Sequence, residues 1–268
     1  MHMESSTAED GSPAAEETLV DREYIAGLEK GLAVLELFSS RCPRLTPMAA
    51  AKLTGLPRAT ARRCLRTLEK LGYLSFDGKN YVLTSRVLRL GHAYFESTQL
   101  AKVAQPVLEN LAQRTGESAS LAILDGADSV FIARAALNAS FSGAIGVGVR
   151  ISAYNTATGR VLLGGLSDDQ LAHLMQRAEP RRLTPHSIVD PALLLAAVAQ
   201  VRKQGYAVCD EEVQLGSRSI AVPVYDGDGT LIAAMSLAVH AVRMPVADMP
   251  GALLPPLEVA RRMLVAAL

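Results

Sequence analysis

Three cysteines in 268 residues, Cys42, Cys64 and Cys209, are too few and too scattered for a disulfide framework. They form no CxxC pair, and their odd number fits a reducing compartment. Five dispersed histidines give no metal-ligand spacing. No window holds eighteen uninterrupted apolar residues, so no membrane-spanning helix is expected. No charged segment followed by an apolar one opens the sequence, and a cytoplasmic protein is the expectation. The glycine-rich GAIGVGV has no following lysine at phosphate-loop spacing, which argues against a nucleotide site.

Net charge is also lacking, at +0, but that average hides an asymmetry. Residues 1–40 carry two basic and nine acidic side chains, a net of −7. Residues 41–90 carry eleven basic and two acidic, a net of +9. A strongly basic segment inside a neutral chain attracts phosphates and steers association. What the chain does have is apolar residues, at 49%, enough for a sizeable core. Its length suggests two domains.

Residues 1–21 are small, polar and acidic, and read as a disordered tail. Residues 22–84 read as one domain. Leu28, Leu32, Leu35 and Phe38 mark one face of a first helix. Thr46 as N-cap, Pro47 at the first helical position and Gly55 past the end bound a short second helix. A third helix follows, with the apolar stripe Ala61, Cys64, Leu65, Leu68 and Leu71. Arg62, Arg63 and Arg66 lie opposite that stripe, and Arg58 lies at its N-terminal edge. YLSFDGKNYVLT then reads as two short strands about Asp77-Gly78. Together these make a winged helix-turn-helix. Residues 85–98 read as a linker helix.

Residues 99–268 read as a second domain. An amphipathic helix leads into SASLAILDG and SVFIARAAL, two strands about Asp125-Gly126. Helices are expected from near Thr158, at 167–176 and at 191–204. SIAVPVYDGDGTLIAAMSLAV is a strong hairpin, and the C-terminal stretch is helical. The order gives an α+β domain with a curved antiparallel sheet.

Four arginines in nine positions are, taken alone, usually a solvated helix face. Here the helix sits third, after a tight turn and before a wing, with almost no acid nearby. That context points to duplex DNA. A third helix so placed enters the major groove, and its N-terminal residues reach base edges. Arg58, Thr60, Arg62 and Arg63 are the candidates there. Arg66, a turn later, is placed on phosphate. Thr46 and the start of the second helix can take a phosphate through backbone N–H groups. Lys79 at the wing tip is a backbone or minor-groove candidate.

YIAGLEKGLAVLELF, LTPMAAAKLTGLPRATARRCLRTLEKLGYL, RISAYNTATGRVLL and GYAVCDEEVQLGSRSIAVPVYDGDG resemble the IclR family of bacterial transcription regulators. The resemblance runs through residues 22–265, with the motifs in family order. Within the family it is similar to the subgroup governing aromatic-acid catabolism, including the protocatechuate, β-ketoadipate and 4-hydroxybenzoate pathway regulators. It implies an N-terminal winged helix-turn-helix, a helical linker and a C-terminal GAF-like effector-binding domain. It also implies homodimers, often paired into tetramers, on palindromic operators, and a small organic acid as effector. No cofactor, membrane or catalytic role is implied. Carried across residue by residue, the family's pocket selects Gly159, Cys209, Ser219 and Ser236. Two positions depart from relatives that bind small keto acids. Cys209 stands where they have an acidic residue, and Ala238 where they have a second serine. A larger, partly aromatic ligand is then easier to accommodate.

The residues themselves leave the pocket open. Arg160 follows Gly159 at an expected helix start, where glycine allows close ligand approach and an arginine fork can grip a carboxylate. Arg160 in a salt bridge is the alternative. Arg134 in its apolar strand faces either solvent or the pocket. Tyr154 either stacks on a ligand ring or fills the core. Ser219 and Ser236 are pocket residues or ordinary strand serines. Asp210, Glu211 and Glu212 read as solvated loop carboxylates, and no histidine lies near Cys209 to activate it. A DNA-binding regulator responsive to a small aromatic or dicarboxylic acid is the leading reading. A hydrolase fused to a DNA-binding module lacks a nucleophile, base and orienter. A ligand-independent DNA binder leaves the large second domain without purpose.

Overall fold

A computed structural model of the chain describes residues 24–39, 42–136, 145–177 and 180–268. The acidic tail, residues 1–21, lies outside them, as do residues 142–144 of the glycine-rich stretch. The chain divides into two compact units, residues 1–90 and 91–268.

The first unit holds α1 (Ala26–Leu35), α2 (Pro47–Thr54) and α3 (Arg58–Lys70). The wing follows as β1 (Leu74–Phe76) and β2 (Tyr81–Leu83), paired antiparallel with Phe76 opposite Tyr81. The α2 boundaries are where the residues place them. The Thr46 hydroxyl accepts from the Ala49 N–H at 3.2 Å, and Gly55 ends the helix at φ 71°. Val34, Ala50, Ala61, Leu65, Leu68, Leu74 and Tyr81 form the core, and Leu45 is fully buried as well. Three expected core positions differ. Leu71 follows the last turn of α3 and is exposed. Leu28 and Leu32 of α1 are also exposed, at 60% and 47%, and Val34 is the residue α1 buries.

A 3-10 turn at Ser85–Val87 leads into α4 (Leu88–Ser97), where the expected linker lies. The boundary between the two units falls inside this helix.

The second unit runs α5 (Gln99–Thr115), β3 (Ser118–Asp125), β4 (Asp128–Ala135), β5 (Arg150–Ser152), α6 (Ala157–Gly164), α7 (Asp168–Arg177), α8 (Pro191–Gln204), β6 (Ala207–Asp210), β7 (Ser217–Tyr225), β8 (Leu231–His240) and α9 (Met249–Ala267). The described strands make one curved antiparallel sheet in the order β5-β4-β3-β8-β7-β6. Strand residues alternate between its faces, and this alternation explains the layers. Leu121, Ile220, Val222, Met235 and Leu237 face one way, against Leu108 and Leu111 of α5 and Leu253, Leu257 and Leu264 of α9. Ala207, Cys209, Ala221 and Ala234 face the other way, against Ala157, Val161 and Leu162 of α6. Beyond α6, Tyr154, Leu163, Leu171, Leu194 and Val198 form a further apolar layer with α7 and α8. CDEE is not simply a loop: Cys209 and Asp210 end the edge strand β6.

Candidate DNA interface and effector site

α3 carries its charge on an outward surface because Ala61, Leu65 and Leu68 fix the opposite side to the core. Arg58, Arg62, Arg63 and Arg66 are all exposed. Among the described residues none of them comes within 4.0 Å of a carboxylate oxygen, so their charge faces outward uncompensated. Between α3 and the wing lies a cleft of about 1010 Å³. Arg58, Ala59, Arg62, Arg66 and Glu69 line it from α3, Phe76, Lys79 and Tyr81 from the wing, and Pro47 from α2. Arg63 and Thr60 are outside this lining, and Thr60 is half-buried.

The wing is stiffened by its own residues. The Phe76 and Tyr81 rings pack at 4.8 Å. Asp77 Oδ1 accepts from the N–H groups of Lys79 and Asn80, at 2.9 and 2.7 Å, which ties down the tip. Those two bonds hold the Asp77 carboxyl below its ordinary range, and Arg44, 3.4 Å from Asp77, acts in the same sense. Lys79 is thereby presented on a fixed turn.

Thr46 meets a different use from the expected one. Its hydroxyl caps Ala49 and its carbonyl takes the Ala50 N–H. Pro47 has no N–H. Among the described residues the Thr46 and Met48 N–H groups are left at this helix start to meet a phosphate.

In the second unit, cross-strand pairing decides which candidates share a face, because residues directly opposite project to the same side. Arg134 stands opposite Ser120, Ser120 opposite Ser236, and Ser236 opposite Ala221. The next row is Ser118, Ala238, Ser219 and Cys209. The sheet therefore brings Arg134, Cys209, Ser219 and Ser236 to the inner face, the side α6 packs on. Arg134 is half-buried, and burial pulls its pKa down. Ser118 and Ser120 belong to the same rows and were not singled out from sequence. The signal was there: Ser118, Ser120 and Ala122 alternate with Ala119, Leu121 and Ile123, small on one face and apolar on the other.

Three expected contacts are corrected. Gly159 does not open the backbone to a ligand. A Cβ there would fall on the Ala153 carbonyl, so the glycine lets α6 pack on the preceding turn. Its N–H is taken by the Thr156 hydroxyl at 2.9 Å, and α6 starts at Ala157, next to the expected Thr158. Tyr154 does not face a ligand. Its ring is buried among Leu163, Leu171, Leu194 and Val198, and burial pushes its hydroxyl up to about 12. Arg160 is not available as a carboxylate fork. Its Nη1 and Nη2 donate to the two oxygens of Glu212, at 2.7 and 2.5 Å, and its Nε donates to the Tyr154 carbonyl at 3.0 Å. Glu212, expected in solvent, is 5% exposed. Its Oε2 also accepts from the Ile188 N–H at 3.3 Å, and its carbonyl accepts from the Ser187 hydroxyl at 2.7 Å.

Cys209 lies beside this pair. Burial, set against the favourable charge of Arg160, still pushes its thiol up to about 12. A thiol so placed is neutral at any physiological pH and is no nucleophile.

The comparisons with known proteins bear on both units. Residues 27–78 match the IclR helix-turn-helix domain, and residues 92–262 match the bacterial transcriptional regulator IclR C-terminal domain. The chain belongs to the IclR family. This IclR-family protein is a DNA-binding transcriptional regulator, not an enzyme. It is 41% identical over 243 residues to the Pca regulon regulatory protein of Pseudomonas putida, covering 90% of this chain and 84% of that one. It is 38% identical over 229 residues to the p-hydroxybenzoate hydroxylase transcriptional activator of Acinetobacter baylyi, covering 84% of each. Among solved structures it resembles the inducer-binding domain of a PobR double mutant from Acinetobacter, in complex with 3-hydroxybenzoic acid. That match has a TM-score of 0.58 at 32% identity, over 63% of this chain and 98% of the other. Among the described residues no helix is long and apolar enough to cross a membrane.

Proposed function

We propose that this IclR-family regulator senses a hydroxylated aromatic acid on the inner face of its C-terminal sheet and controls the genes that degrade it. The observation that carries this reading is the row Arg134, Ser120 and Ser236. A guanidinium next to hydroxyls suits a carboxylate. The rows around it hold the small side chains Ala122, Ser219, Ala221 and Ala238, with the Phe131 ring opposite Ala122 as the bulky neighbour a ligand ring would meet. Relatives named for p-hydroxybenzoate hydroxylase activation and for a 3-hydroxybenzoic acid complex support the same class of ligand. Cys209, neutral and next to an ion pair that is already closed, adds no charge for a second carboxylate. An aromatic monoacid is therefore favoured over a dicarboxylic acid.

On the DNA side, Arg58, Thr60, Arg62, Arg63, Arg66 and Lys79 form the operator surface. Residues 22–84 serve as the DNA-binding domain, 85–98 as the linker and 99–268 as the effector domain of a cytoplasmic protein. We infer a homodimer, with pairing into tetramers open to it, on a palindromic operator. Tyr24, Ile25, Leu28 and Leu32 leave an exposed apolar face at α1, which supports pairing with a second copy. Half-sites on duplex DNA tolerate few spacings, and a ligand that favours one spacing shifts the equilibrium.

A thermal-shift panel tests the ligand class. Stabilisation by 3- or 4-hydroxybenzoate and not by succinate supports it. A shift with succinate alone, or with none of the panel, would sink it.

A further inference from the structure

The four arginines of α3 do not share one surface. Successive residues of an α-helix turn by about 100°. Measured from the buried Ala61, Arg62 lies about 100° round and Arg63 about 200° round, close to the direction opposite the core. Arg62 looks sideways into the cleft with Arg58 and Arg66. Arg63 looks straight out, and its exposure is not shared with the wing.

An α-helix is about 10–12 Å across with its side chains, and the major groove is about 12 Å wide. A helix in that groove therefore fills it. Side chains on its flank meet the phosphate wall, and only those on its outermost line meet the groove floor. The cleft flank carries Arg58, Arg62 and Arg66, and the wing opposite carries Lys79 on its tied turn. Four cations on two walls of one cleft fit a phosphodiester strand passing between them. Glu69 sits at the C-terminal end of the same lining and would repel a phosphate there, so the strand is held toward the start of α3.

We propose a division of labour that rests on the DNA-binding role of α3. Arg58, Arg62, Arg66 and Lys79 form a sequence-blind phosphate clamp, and Arg63 is the arginine that reads a base edge. This reassigns Arg58 and Arg62 from base to backbone. It also makes Arg63 the specificity-determining arginine, since it alone of the four α3 arginines lies on the outermost line, where its pre-organised planar fork can meet both acceptors of a guanine.

The test uses the full chain and two duplexes. One is selected by the full chain from a random-sequence pool, and the other is a scramble of equal length and composition. Affinities are measured across a salt series for Arg58→Ala, Arg62→Ala, Arg66→Ala, Lys79→Ala, Arg63→Ala and Arg63→Lys. All six changes are at exposed side chains, and melting curves confirm folding. The clamp variants should weaken both duplexes by a similar factor and lower the salt slope by about 0.9 each. Their preference for the selected duplex should stay within about threefold. Arg63→Ala should cut that preference by about tenfold or more, and Arg63→Lys should not restore it. Loss of preference in Arg62→Ala equal to that in Arg63→Ala would overturn the division while leaving α3 as the DNA surface. No change in either duplex for any variant would overturn the DNA-binding role of α3 itself.

Discussion

Arg160 of α6 and Glu212, 52 positions later, close a buried two-bond ion pair beside the inner face of the sheet. Both side chains are almost wholly out of solvent, at 5% and 6% exposure. The pair joins α6 to the segment after β6, and Glu212 in turn holds Ser187 and Ile188. A buried pair of this kind is weak evidence of net stabilisation, yet breaking it leaves an uncompensated charge in the interior.

Glu212→Ala is therefore expected to destabilise the C-terminal unit by about 3–5 kcal/mol, and Arg160→Ala by a similar amount. The double variant Arg160→Met, Glu212→Leu should recover most of the loss, because no charge is left alone. Urea denaturation of the three proteins checks this. Single variants as stable as the parent would show that the pair is open in solution.

Alkaline pH should weaken the fold. The Cys209 thiol and the Tyr154 hydroxyl are both raised to about 12, from ordinary values of 9 and 10. Each is an acid that loses its proton earlier in the unfolded chain than in the folded one. Above pH 9 the folded state then binds more protons, and stability falls with rising pH, at up to about 1.4 kcal/mol per unit for each group. Between pH 9 and 12, Cys209→Ala should flatten the decline of melting temperature. An identical decline in parent and variant would remove Cys209 from the explanation.

Gly159→Ala should cost about 1–3 kcal/mol, since the added methyl meets the Ala153 backbone, which has no flexible end to move. Thermal melting measures it. A neutral effect would mean that the turn before α6 is looser than described.

Replacing both Leu28 and Leu32 by aspartate should dissociate the proposed homodimer without unfolding the first unit, because neither side chain is part of its core. Sedimentation velocity gives the mass. A dimer that survives the double change would place the interface elsewhere.

Much of this molecule is legible in its residues where the determinants are local. Thr46, Pro47 and Gly55 bound α2 because cap, ring and left-handed turn act within a few positions. The Asp77-Gly78 wing and the β7–β8 hairpin are equally local. The basic helix could be placed because its apolar stripe and its arginines lie on one short segment. What escaped is set by distance along the chain. Nothing near Glu212 announces a guanidinium 52 residues earlier, so three carboxylates in a row read as solvated. Leu28 and Leu32 have core periodicity, and only their surroundings show that their own unit does not cover them. Gly159 faces the same limit: a glycine chosen for a ligand and one chosen for a neighbouring carbonyl look alike in sequence. Arg134 could be placed only when its strand paired with Ser120 of β3, and β3 in turn with Ser236.

The effector site is the central claim, and calorimetric titration of the full chain tests it most directly. Parent protein and Arg134→Ala are each titrated with 4-hydroxybenzoate, 3-hydroxybenzoate and the neutral 4-hydroxybenzamide. The account predicts saturable binding of at least one acid by the parent and much weaker binding of the amide. Affinity for that acid should fall about ten- to hundredfold in Arg134→Ala, the loss expected for hydrogen bonds to a charged group. Equal affinity of parent and variant for the acid, or binding of the amide as tight as that of the acid, would contradict it.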